Sequence, residues 1–506
     1  MKLLKKLVSK SVSLPILILM QLFLIYIAIY YLSSEIPLIF IGISAIAIIL
    51  SIYIINLPSN PSYKLSWIFL ILAFPLIGVV TYLMFGGRKV PSALRKTVND
   101  LSIDDIPLLH QDTLVSDLLN HSSLSAYKQY TYLYKAAEYP IYQNSKVTYF
   151  SSGEAKYKDL KQALLSAQHF IFLEYFIVKE GMMLDEIKSI LFKKAEEGVI
   201  IKLLFDDFGV MHLPKDFRKE MRSHNIGCEF FNPLRPILAI YMNNRDHRKI
   251  AVIDGKVGYI GGINIADEYI NRIVRFGYWK DTAIKIEGEA VYSLTVMFLH
   301  IYNYVSKETN VFTDYKVDNP IYHNEGFIQM FSDSPTDEEL TSENAHLNLI
   351  NSAQRYLYIM TPYLIIGHEL ITALTLSAKS GVDVRIMVPH IPDKKYVFAV
   401  TRSNYEILTK NGVKIYEYTP GFVHAKMMIV DDEIAIVGTS NLDFRSYYMH
   451  FECGALIVQS PSIKVMLDDF NDTLKQCQEI TYADTLKDPF PIRLYRALLN
   501  VFSSVL

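Results

Sequence analysis

The apolar positions of this chain follow two different patterns along its length. Near the N-terminus, three apolar runs each approach the roughly 20 residues that a helix needs to cross a bilayer. These runs are Leu14–Leu32, Ile36–Leu57 and Leu65–Phe85. After Gly86-Gly87 the chain becomes more polar, and from about Lys146 short β-rich runs alternate with helical patterns. The pattern predicts an N-terminal helical membrane anchor followed by layered α/β domains.

The α/β region predicts a similar order of elements twice. In its first half, a helix over Asp159–Gln168 leads into a strand over Phe170–Phe176, and Val199–Phe205 is typical of a buried strand. The second half repeats this order, with a helix over Leu347–Gln354 and strands over Tyr356–Met360, Val382–Val388 and Val413–Tyr418. A short match supports the correspondence, because the sequence Ser-Ala-Gln closes both helices, at residues 166–168 and 352–354.

The predicted division of the chain has five parts. They are residues 1–90 as an anchor of two to three hydrophobic helices, 91–145 as a helical connector, 146–320 as the first half, 321–490 as the second half, and 491–506 as an amphipathic C-terminal helix. In the last part, one helical face carries Leu494, Leu498, Val501, Phe502 and Val505. Docking of this helix onto the core and a position in the membrane interface both fit that pattern.

Basic residues at both ends of the apolar region leave its topology open. The clusters consist of Lys2, Lys5, Lys6 and Lys10 before the first run, and Arg88, Lys89, Arg95 and Lys96 after the third. Both clusters favour the cytoplasmic side. Two crossings and one re-entrant or interfacial segment would place both clusters on that side. Leu65–Phe85 contains Pro75 and Gly78 and is the candidate for the irregular segment. We expect a multi-pass membrane protein with a cytoplasmic catalytic part; three crossings, with that part outside, stay an alternative.

Composition narrows the class of protein. Of the 506 residues, 51% are hydrophobic, and the mean hydropathy of +0.19 favours a membrane protein. A nuclease needs a basic surface to hold phosphate chains, and a chain with a net charge of −2 does not favour such a surface. No nucleic-acid partner is therefore expected. The three cysteines have no metal-ligand spacing, so we predict neither a disulfide framework nor a metal site, and no cofactor.

One short motif occurs twice with identical internal spacing, and the second copy lies 177 positions after the first. The first copy consists of His247, Lys249, Asp254, Gly261 and Asn264, and the second of His424, Lys426, Asp431, Gly438 and Asn441. At roughly one chance in twenty per fixed position, an accidental repeat of five residues in register is very unlikely. The chain therefore carries a duplicated half-site.

The motif suits chemistry on a phosphate. Lys249–Ile253 and Lys426–Val430 are predicted strands, so each histidine shares a face with the lysine two residues later. A neutral imidazole is a nucleophile near pH 7, and an ammonium neutralises phosphate oxygens. Asn264 and Asn441 are predicted to add amide donors, and glycines such as Gly262 permit close backbone approach.

The two motif aspartates are predicted to have a different role from the histidines. Asp254 and Asp431 lie seven residues after each histidine, an odd separation that turns the carboxylate away from the site if the strand is straight. Both belong to the candidate catalytic set, and we expect them to be mainly structural.

At these residues the chain resembles the phospholipase D superfamily, whose signature is the duplicated His-x-Lys-x₄-Asp motif, and within it the bacterial cardiolipin synthases. The resemblance extends from about Leu65 to the C-terminus. It is carried by Ser66-Trp67, Tyr82–Gly86, Arg245–Asp254, Gly261–Asn264, Trp279-x-Asp281, Phe422–Asp431, Gly438–Asn441, Arg445-Ser446 and Phe451-Glu452. It implies two phospholipase D-like α/β halves with mixed sheets flanked by helices, behind a membrane anchor.

The resemblance also implies a reaction, in which the phosphatidyl group of one phosphatidylglycerol passes through a covalent phosphohistidine to a second, giving cardiolipin and glycerol. It implies Asp281 and Glu452 as orienting carboxylates, which we assign to His247 and His424 respectively. Ser440 joins the supporting set. The nucleophile is expected to be His247, with His424 as acid and then base.

Two alternatives to the transferase use the same residues. A phospholipase would pass the phosphatidyl group to water and give phosphatidic acid, and a catalytically inactive protein would bind lipid without turnover. The chain also departs from the family at His450, where the family usually has asparagine.

Overall fold

A computed structural model describes residues 36–86, 95, 109–233 and 244–505 of the chain. Three helices stand at the N-terminal end of the described part: α1 (Ile36–Ile55), α2 (Pro61–Ala73) and α3 (Pro75–Phe85). The first predicted apolar run, Leu14–Leu32, lies outside the described residues. Within them, the structure contains no helix whose length and apolarity together suffice for a membrane crossing.

The run predicted to be irregular is indeed interrupted. Helix α2 ends before Phe74, and α3 begins at Pro75, whose ring cannot continue the preceding helix. The two helices then fold closely against each other, since a Cβ at Gly78 would lie only 2.4 Å from the Ile71 Cα. The N-terminal end of α2 contacts the α/β region, where the amide of its N-cap residue Asn60 donates to the Tyr448 hydroxyl at 2.9 Å.

The first half follows a connector of two helices, α4 (Thr113–Ser122) and α5 (Leu124–Ala137). Its elements are β1 (Ile141–Tyr142), β2 (Ser145–Phe150), α6 (Gly153–Ser166), β3 (Phe170–Tyr175), α7 (Met182–Glu196), β4 (Ile200–Asp206), α8 (Phe217–Ser223), β5 (Gly227–Phe231), β6 (Arg245–Asp246), β7 (Lys249–Ile253), β8 (Val257–Gly261), β9 (Tyr278–Lys280), β10 (Ala283–Gly288) and α9 (Val291–Ser306).

The second half repeats this plan and ends in a helix. Its elements are β11 (Phe327–Asp333), α10 (Thr341–Ser352), β12 (Tyr356–Met360), β13 (Leu364–Ile365), α11 (His368–Lys379), β14 (Asp383–Pro389), α12 (Lys395–Ser403), α13 (Tyr405–Lys410), β15 (Lys414–Tyr418), β16 (Gly421–Val423), β17 (Met427–Val430), β18 (Ile434–Gly438), β19 (Leu442–Asp443), α14 (Phe444–Tyr448), β20 (His450–Val458), α15 (Pro461–Leu474), β21 (Cys477–Ile480), α16 (Tyr482–Thr485) and α17 (Phe490–Val501).

The two large sheets have the same strand order. The first runs β2-β10-β8-β7-β3-β4-β5, and the second contains the matching series β11-β20-β18-β17-β12-β14-β15. In each, three neighbouring strands are parallel and the others antiparallel, so the sheets are mixed as expected. One apolar cluster contains residues of both sheets, including Ile250 and Ile284 from the first and Met427 and Ala455 from the second. The halves therefore share a core.

Two short strand pairs join the halves at one edge of this core. β6 of the first half pairs in parallel with the start of β20, placing Arg245 opposite His450. β9 pairs in parallel with β16 of the second half, placing Lys280 opposite Val423. Each motif histidine follows one member of such a pair, so each half is bound at that point to the other.

Candidate active site

His247 is held by the second half of the chain. It follows β6, and its backbone N–H donates to the Phe451 carbonyl at 2.9 Å. Its Nδ1 lies 2.9 and 3.0 Å from the two carboxylate oxygens of Glu452. The imidazole is thereby oriented from its Nδ1 side, which leaves Nε2 for chemistry.

His424 is held in the same way by the first half. It follows β16, and its backbone N–H donates to the Lys280 carbonyl at 2.7 Å. Its Nδ1 lies 2.7 Å from Asp281 Oδ2. The two half-sites thus repeat one arrangement, with a carboxylate bound to Nδ1 of each histidine.

The predicted pairing of carboxylates with histidines is wrong. Asp281 was assigned to His247 and Glu452 to His424, and the structure exchanges them. The reason is the parallel pairing across the halves: β9 beside β16 brings Asp281 to His424, and β6 beside β20 brings Glu452 to His247. The partners lie 143 and 205 positions apart in the chain.

Each lysine lies beside its histidine, close enough that, in addition to burial, its charge lowers the pKa of the imidazole. Lys249 Nζ donates to the His247 carbonyl, and Lys426 Nζ donates to the His424 carbonyl. One such bond leaves two of the three ammonium protons for a phosphate.

Burial sets the electrostatics of the site. The histidine side chains are 9% and 10% exposed, and burial lowers the pKa of His247 to about 3 and that of His424 to about 4. Burial also lowers the pKa of Lys249 to about 8 and that of Lys426 to about 7. In the free protein, burial therefore favours the neutral form of both imidazoles, and the neutral form is the one that can attack phosphorus.

The two carboxylates remain ionised despite being fully buried. Burial opposes ionisation of Asp281, but His424 and Lys426 outweigh it and hold the pKa of that carboxyl below its usual value. In the same way His247 holds the pKa of Glu452 well below its usual range against the effect of burial. An ionised carboxylate on Nδ1 stabilises the imidazolium that forms when Nε2 takes up a proton.

The motif aspartates do not contact the histidines, and their place among the candidate catalytic residues is corrected. The Asp254 carboxylate accepts the backbone N–H groups of Gln168, His169 and Phe170 at 2.7–2.8 Å. Asp431 accepts those of Gln354, Arg355 and Tyr356 at 2.7–2.8 Å. Each lies at the far end of its strand and fixes the start of a neighbouring strand, which agrees with the expected structural role.

The predicted amide donors are also used by the fold. Asn264 accepts from the Ile177 N–H at 2.9 Å and donates to the Tyr269 hydroxyl at 2.8 Å. Asn441 donates to Asp443 at 3.2 Å. Each amide therefore uses one of its two N–H bonds within the loop that follows its strand.

Gly262 and Ser440 do have places beside the site. A Cβ at Gly262 would lie 2.0 Å from Asp281 Oδ1, so the glycine makes room for the carboxylate that orients His424. The buried Ser440 hydroxyl has no hydrogen-bond partner among the described residues, which leaves it as a donor for a bound phosphate.

The sequence did not predict two features of the site: the contact of Thr439 with Glu452, and the position of His450 beside His247. The Thr439 hydroxyl donates to Glu452 Oε2 at 2.6 Å and helps to fix the carboxylate of the first half-site. The His450 ring stands 5.4 Å from the His247 ring, while Trp279 stands 5.2 Å from His424. The signal for Thr439 was available, because it occupies the repeat position of Gly262.

One group of described residues has the donor atoms for a metal ion: His247, His450 and Glu452, whose ligand atoms lie within 4.8 Å of one another. The Glu452 carboxylate is already engaged by His247 and Thr439. These hydrogen bonds explain the cluster without an ion.

Comparison with known proteins bears on this geometry. Residues 346–474 match the family model described as cardiolipin synthase, PLD-like domain, and residues 45–87 match the model described as Phospholipase_D-nuclease N-terminal. A cardiolipin synthase of Alkalihalophilus pseudofirmus is 35% identical over 455 residues, 88% of this chain and 90% of the relative. One from a Geobacillus species is 34% identical over 472 residues, 90% of this chain and 91% of the relative.

A protein of Streptococcus mutans described as uncharacterized is 41% identical over 465 residues, 90% of this chain and 99% of that protein. Among solved structures, the phosphatidylserine synthase of Haemophilus influenzae superimposes with a TM-score of 0.55 and 16% identity, covering 71% of this chain and 93% of that chain. At this identity the likeness shows the fold alone.

The two sheets with their histidine–carboxylate pairs define a phospholipase D-like α/β protein. Within that class, the chain belongs to the cardiolipin synthase family.

Proposed function

We propose that this protein joins two phosphatidylglycerol molecules into cardiolipin and releases glycerol. The observation that carries the proposal is the pair of buried histidines, each oriented through Nδ1 by an ionised carboxylate and each accompanied by a lysine. Two such groups supply one imidazole to attack phosphorus and one to move the proton of the leaving oxygen.

In the first transfer, Nε2 of neutral His247 attacks phosphorus of one phosphatidylglycerol. A P–N bond forms while the bond from phosphorus to the glycerol head-group oxygen breaks. The bound phosphodiester is an anion, and its charge favours the protonated form of His424. The leaving oxygen takes a proton from this His424 imidazolium, and glycerol leaves. Lys249 and Lys426 stabilise the charge on the non-bridging oxygens during this step, with the Ser440 hydroxyl as a further donor.

In the second transfer, His424 acts as a base. It removes the proton from the terminal hydroxyl of the second phosphatidylglycerol, whose oxygen attacks phosphorus. A P–O bond forms, the P–N bond breaks, and His247 returns to its neutral state. Glu452 and Asp281 stabilise the imidazolium forms in turn.

The shelter of the site favours an alcohol over water as the acceptor. Both histidines are more than nine-tenths buried, and aromatic rings flank them: Phe176 stands 4.9 Å from His247, and Trp279 stands 5.2 Å from His424. A site that excludes bulk water protects the phosphohistidine from hydrolysis. Release of phosphatidic acid is the competing outcome.

The test is incubation of the purified protein with phosphatidylglycerol labelled in its head group, followed by mass spectrometry of the lipids and measurement of free glycerol. We expect one glycerol for each cardiolipin formed. His247→Ala and His424→Ala should each lower turnover by at least about 10³-fold, whereas His368→Ala, at an exposed position, should not. Phosphatidic acid as the main product would assign a phospholipase instead, and full activity of either active-site variant would exclude the two-histidine mechanism.

Trapping of the covalent intermediate separates the roles of the histidines. The substrate is phosphatidylglycerol labelled at phosphorus, because the head group leaves with glycerol, and the reaction is stopped with alkali, because the P–N bond of phosphohistidine is cleaved by acid. We assign the attack to His247, so the His424→Ala variant should still accumulate some labelled phosphohistidine while the His247→Ala variant forms none. The reverse pattern would exchange the two roles.

We infer also that the N-terminal part anchors the protein in the cell membrane with its site on the cytoplasmic side. Large apolar side chains on α1 support this, because Ile41, Ile49 and Tyr53 are 67%, 67% and 58% exposed. Protease added to inverted vesicles, but not to intact spheroplasts, should cleave the catalytic part. Cleavage from the outside alone would reverse the topology.

A further inference from the structure

The C-terminal helix α17 has no buried residue among its 12 positions. Its outer side carries an apolar strip at helical spacing, formed by Phe490, Leu494, Leu498 and Val501. These side chains are 74%, 47%, 51% and 37% exposed. An exposed apolar strip of this length on a helix indicates an apolar partner.

The opposite side of α17 is docked on the protein. Leu499 packs against a cluster that contains Val400 of α12 and Phe444 of α14. Arg493 approaches Glu406 at 3.4 Å, and Arg496 pairs with Asp488 at 2.6 Å. The orientation of the exposed strip is therefore set by contacts on the other side of the helix.

The end of α17 is also bound to the N-terminal helices. The Ser66 hydroxyl of α2 donates to the Val501 carbonyl at 2.5 Å, and the rings of Phe69 and Phe502 stand 5.8 Å apart. Phe69 is itself 47% exposed. The apolar strip of α17 thus continues onto the exposed apolar side chains of α2, the part of the chain that we assign to the membrane anchor.

Length and charge identify the partner as a lipid surface. Twelve residues make a helix of about 18 Å, which is too short for the ~30 Å of a bilayer core, so α17 cannot cross it. Exposed Lys394 and Lys395 stand at the start of α12, the helix against which α17 packs. Lysines at this position suit the anionic head groups of phosphatidylglycerol.

We propose that α17 lies in the plane of the membrane, with Phe490, Leu494 and Leu498 among the acyl chains of an anionic bilayer, and that it holds the second half-site at the lipid surface. Phe444, which shares the cluster with Leu499, follows the motif residue Asn441 by three positions. This inference rests on the proposed function in one respect, which is that the substrate of the site is a lipid of the bilayer.

The first test uses the full chain in vesicles of phosphatidylglycerol and phosphatidylcholine, with Leu498→Cys labelled by an environment-sensitive fluorophore. Cys477 is replaced by serine, since Cys228 and Cys453 are buried. The matched control is Leu165→Cys, because Leu165 is 49% exposed and ends α6 beside the start of β3. Aqueous iodide should quench the label at 498 about fivefold less than the label at 165, and a spin-labelled lipid should quench only the label at 498.

Equal quenching by iodide at the two positions would overturn the proposal. So would a label at 498 that is protected from iodide but not quenched by the spin-labelled lipid, because a second protein copy would then cover the strip. Neither measurement depends on turnover, so a protein that failed to make cardiolipin would still give a result.

The second test compares the double variant Leu494→Gln/Leu498→Gln in vesicles and in detergent micelles containing phosphatidylglycerol. We expect cardiolipin synthesis in vesicles to fall about tenfold while the rate in micelles stays unchanged. An equal loss in both would make α17 a structural helix and would contradict the proposal.

Discussion

At the scale of single residues, the crossed pairing of histidines and carboxylates decides how the site works. Each orienting carboxylate comes from the half opposite to its histidine, at 2.9 Å for Glu452 with His247 and 2.7 Å for Asp281 with His424. The family pattern identified these carboxylates, and the motif identified both histidines and lysines. Neither could assign the partners, because the distance along the chain carries no information about which strands meet.

The crossed pairing gives a first prediction at this scale. Glu452→Gln should lower kcat by about 10²- to 10⁴-fold, because the amide holds the ring less well and no longer stabilises its imidazolium. It should affect formation of the phosphohistidine on His247 directly, whereas Asp281→Asn should act through His424. Rapid-quench measurement of both steps checks this, with the exposed Glu196→Gln as the control. An effect of Glu452→Gln no larger than that of the control would mean that this carboxylate does not orient a catalytic ring.

The buried lysines give a prediction on pH. Burial lowers the pKa of Lys426 to about 7 and that of Lys249 to about 8. Since only the charged form stabilises phosphate oxygens, kcat/KM of the free enzyme should fall as the pH rises through about 7. Lys426→Arg keeps its charge and should move this alkaline limb upward, to the range where Lys249 loses its proton. A limb that does not move in the variant would show that Lys426 does not control it.

At the scale of the elements, the sequence predicted the strands of both halves well. The predicted strands Lys249–Ile253 and Tyr356–Met360 are present with those bounds, and the other predicted strands shift by about a residue at their ends. Both faces of these strands are buried, so each strand appears in the sequence as a short continuous run of apolar residues, which is enough to predict it. The Ser-Ala-Gln match also has a physical reason, since its glutamine N–H binds the motif aspartate in each half.

The aspartates therefore act on elements and not on the reaction. Asp254→Ala removes three backbone hydrogen bonds to a carboxylate at the start of β3, and we expect it to lower the free energy of unfolding by about 3 kcal/mol. Activity should fall in step with the folded fraction. Chemical unfolding with parallel assays checks this, and Asp117→Ala, at an exposed position, should leave both unchanged. Loss of turnover in a fully folded Asp254→Ala protein would restore a catalytic role for this residue.

At the scale of the whole molecule, the two halves make one site because they are fixed to each other at several points. Lys280 bridges them, since its ammonium binds the Ser151 carbonyl at 2.6 Å and the Asp469 carboxylate of α15 at 2.7 Å. The Tyr149 hydroxyl binds the same carboxylate at 2.7 Å. The Lys280 carbonyl in turn accepts the His424 N–H, so this bridge connects the interface to the site.

Loss of the bridge should therefore separate the half-sites. Asp469→Ala leaves a buried ammonium without its charge partner, and we expect a cost of about 3–5 kcal/mol in stability together with a loss of cardiolipin synthesis. Asp472→Ala is the matched control on the same helix, because its pair with Lys475 is exposed and should contribute little to stability. Thermal unfolding and turnover, measured on both variants, test this. Equal stability of the two would mean that the bridge does not hold the halves together.

The sequence by itself determined the chemistry and most of the building blocks. The spacing of each motif places a histidine beside a lysine on one strand face, the repeat reveals two half-sites, and apolar periodicity predicts the strands and helices that carry them. The spacing within each motif and the apolar periodicity are local properties that backbone geometry sets, and the repeat is visible because its two copies keep the same internal spacing. Only the tertiary structure decided that Glu452 serves His247, that Asp281 serves His424, and that Thr439 and Gly262 shape their surroundings. Those contacts depend on strand pairs formed across the two halves, between segments 143 and 205 positions apart, and no local pattern specifies such a pairing.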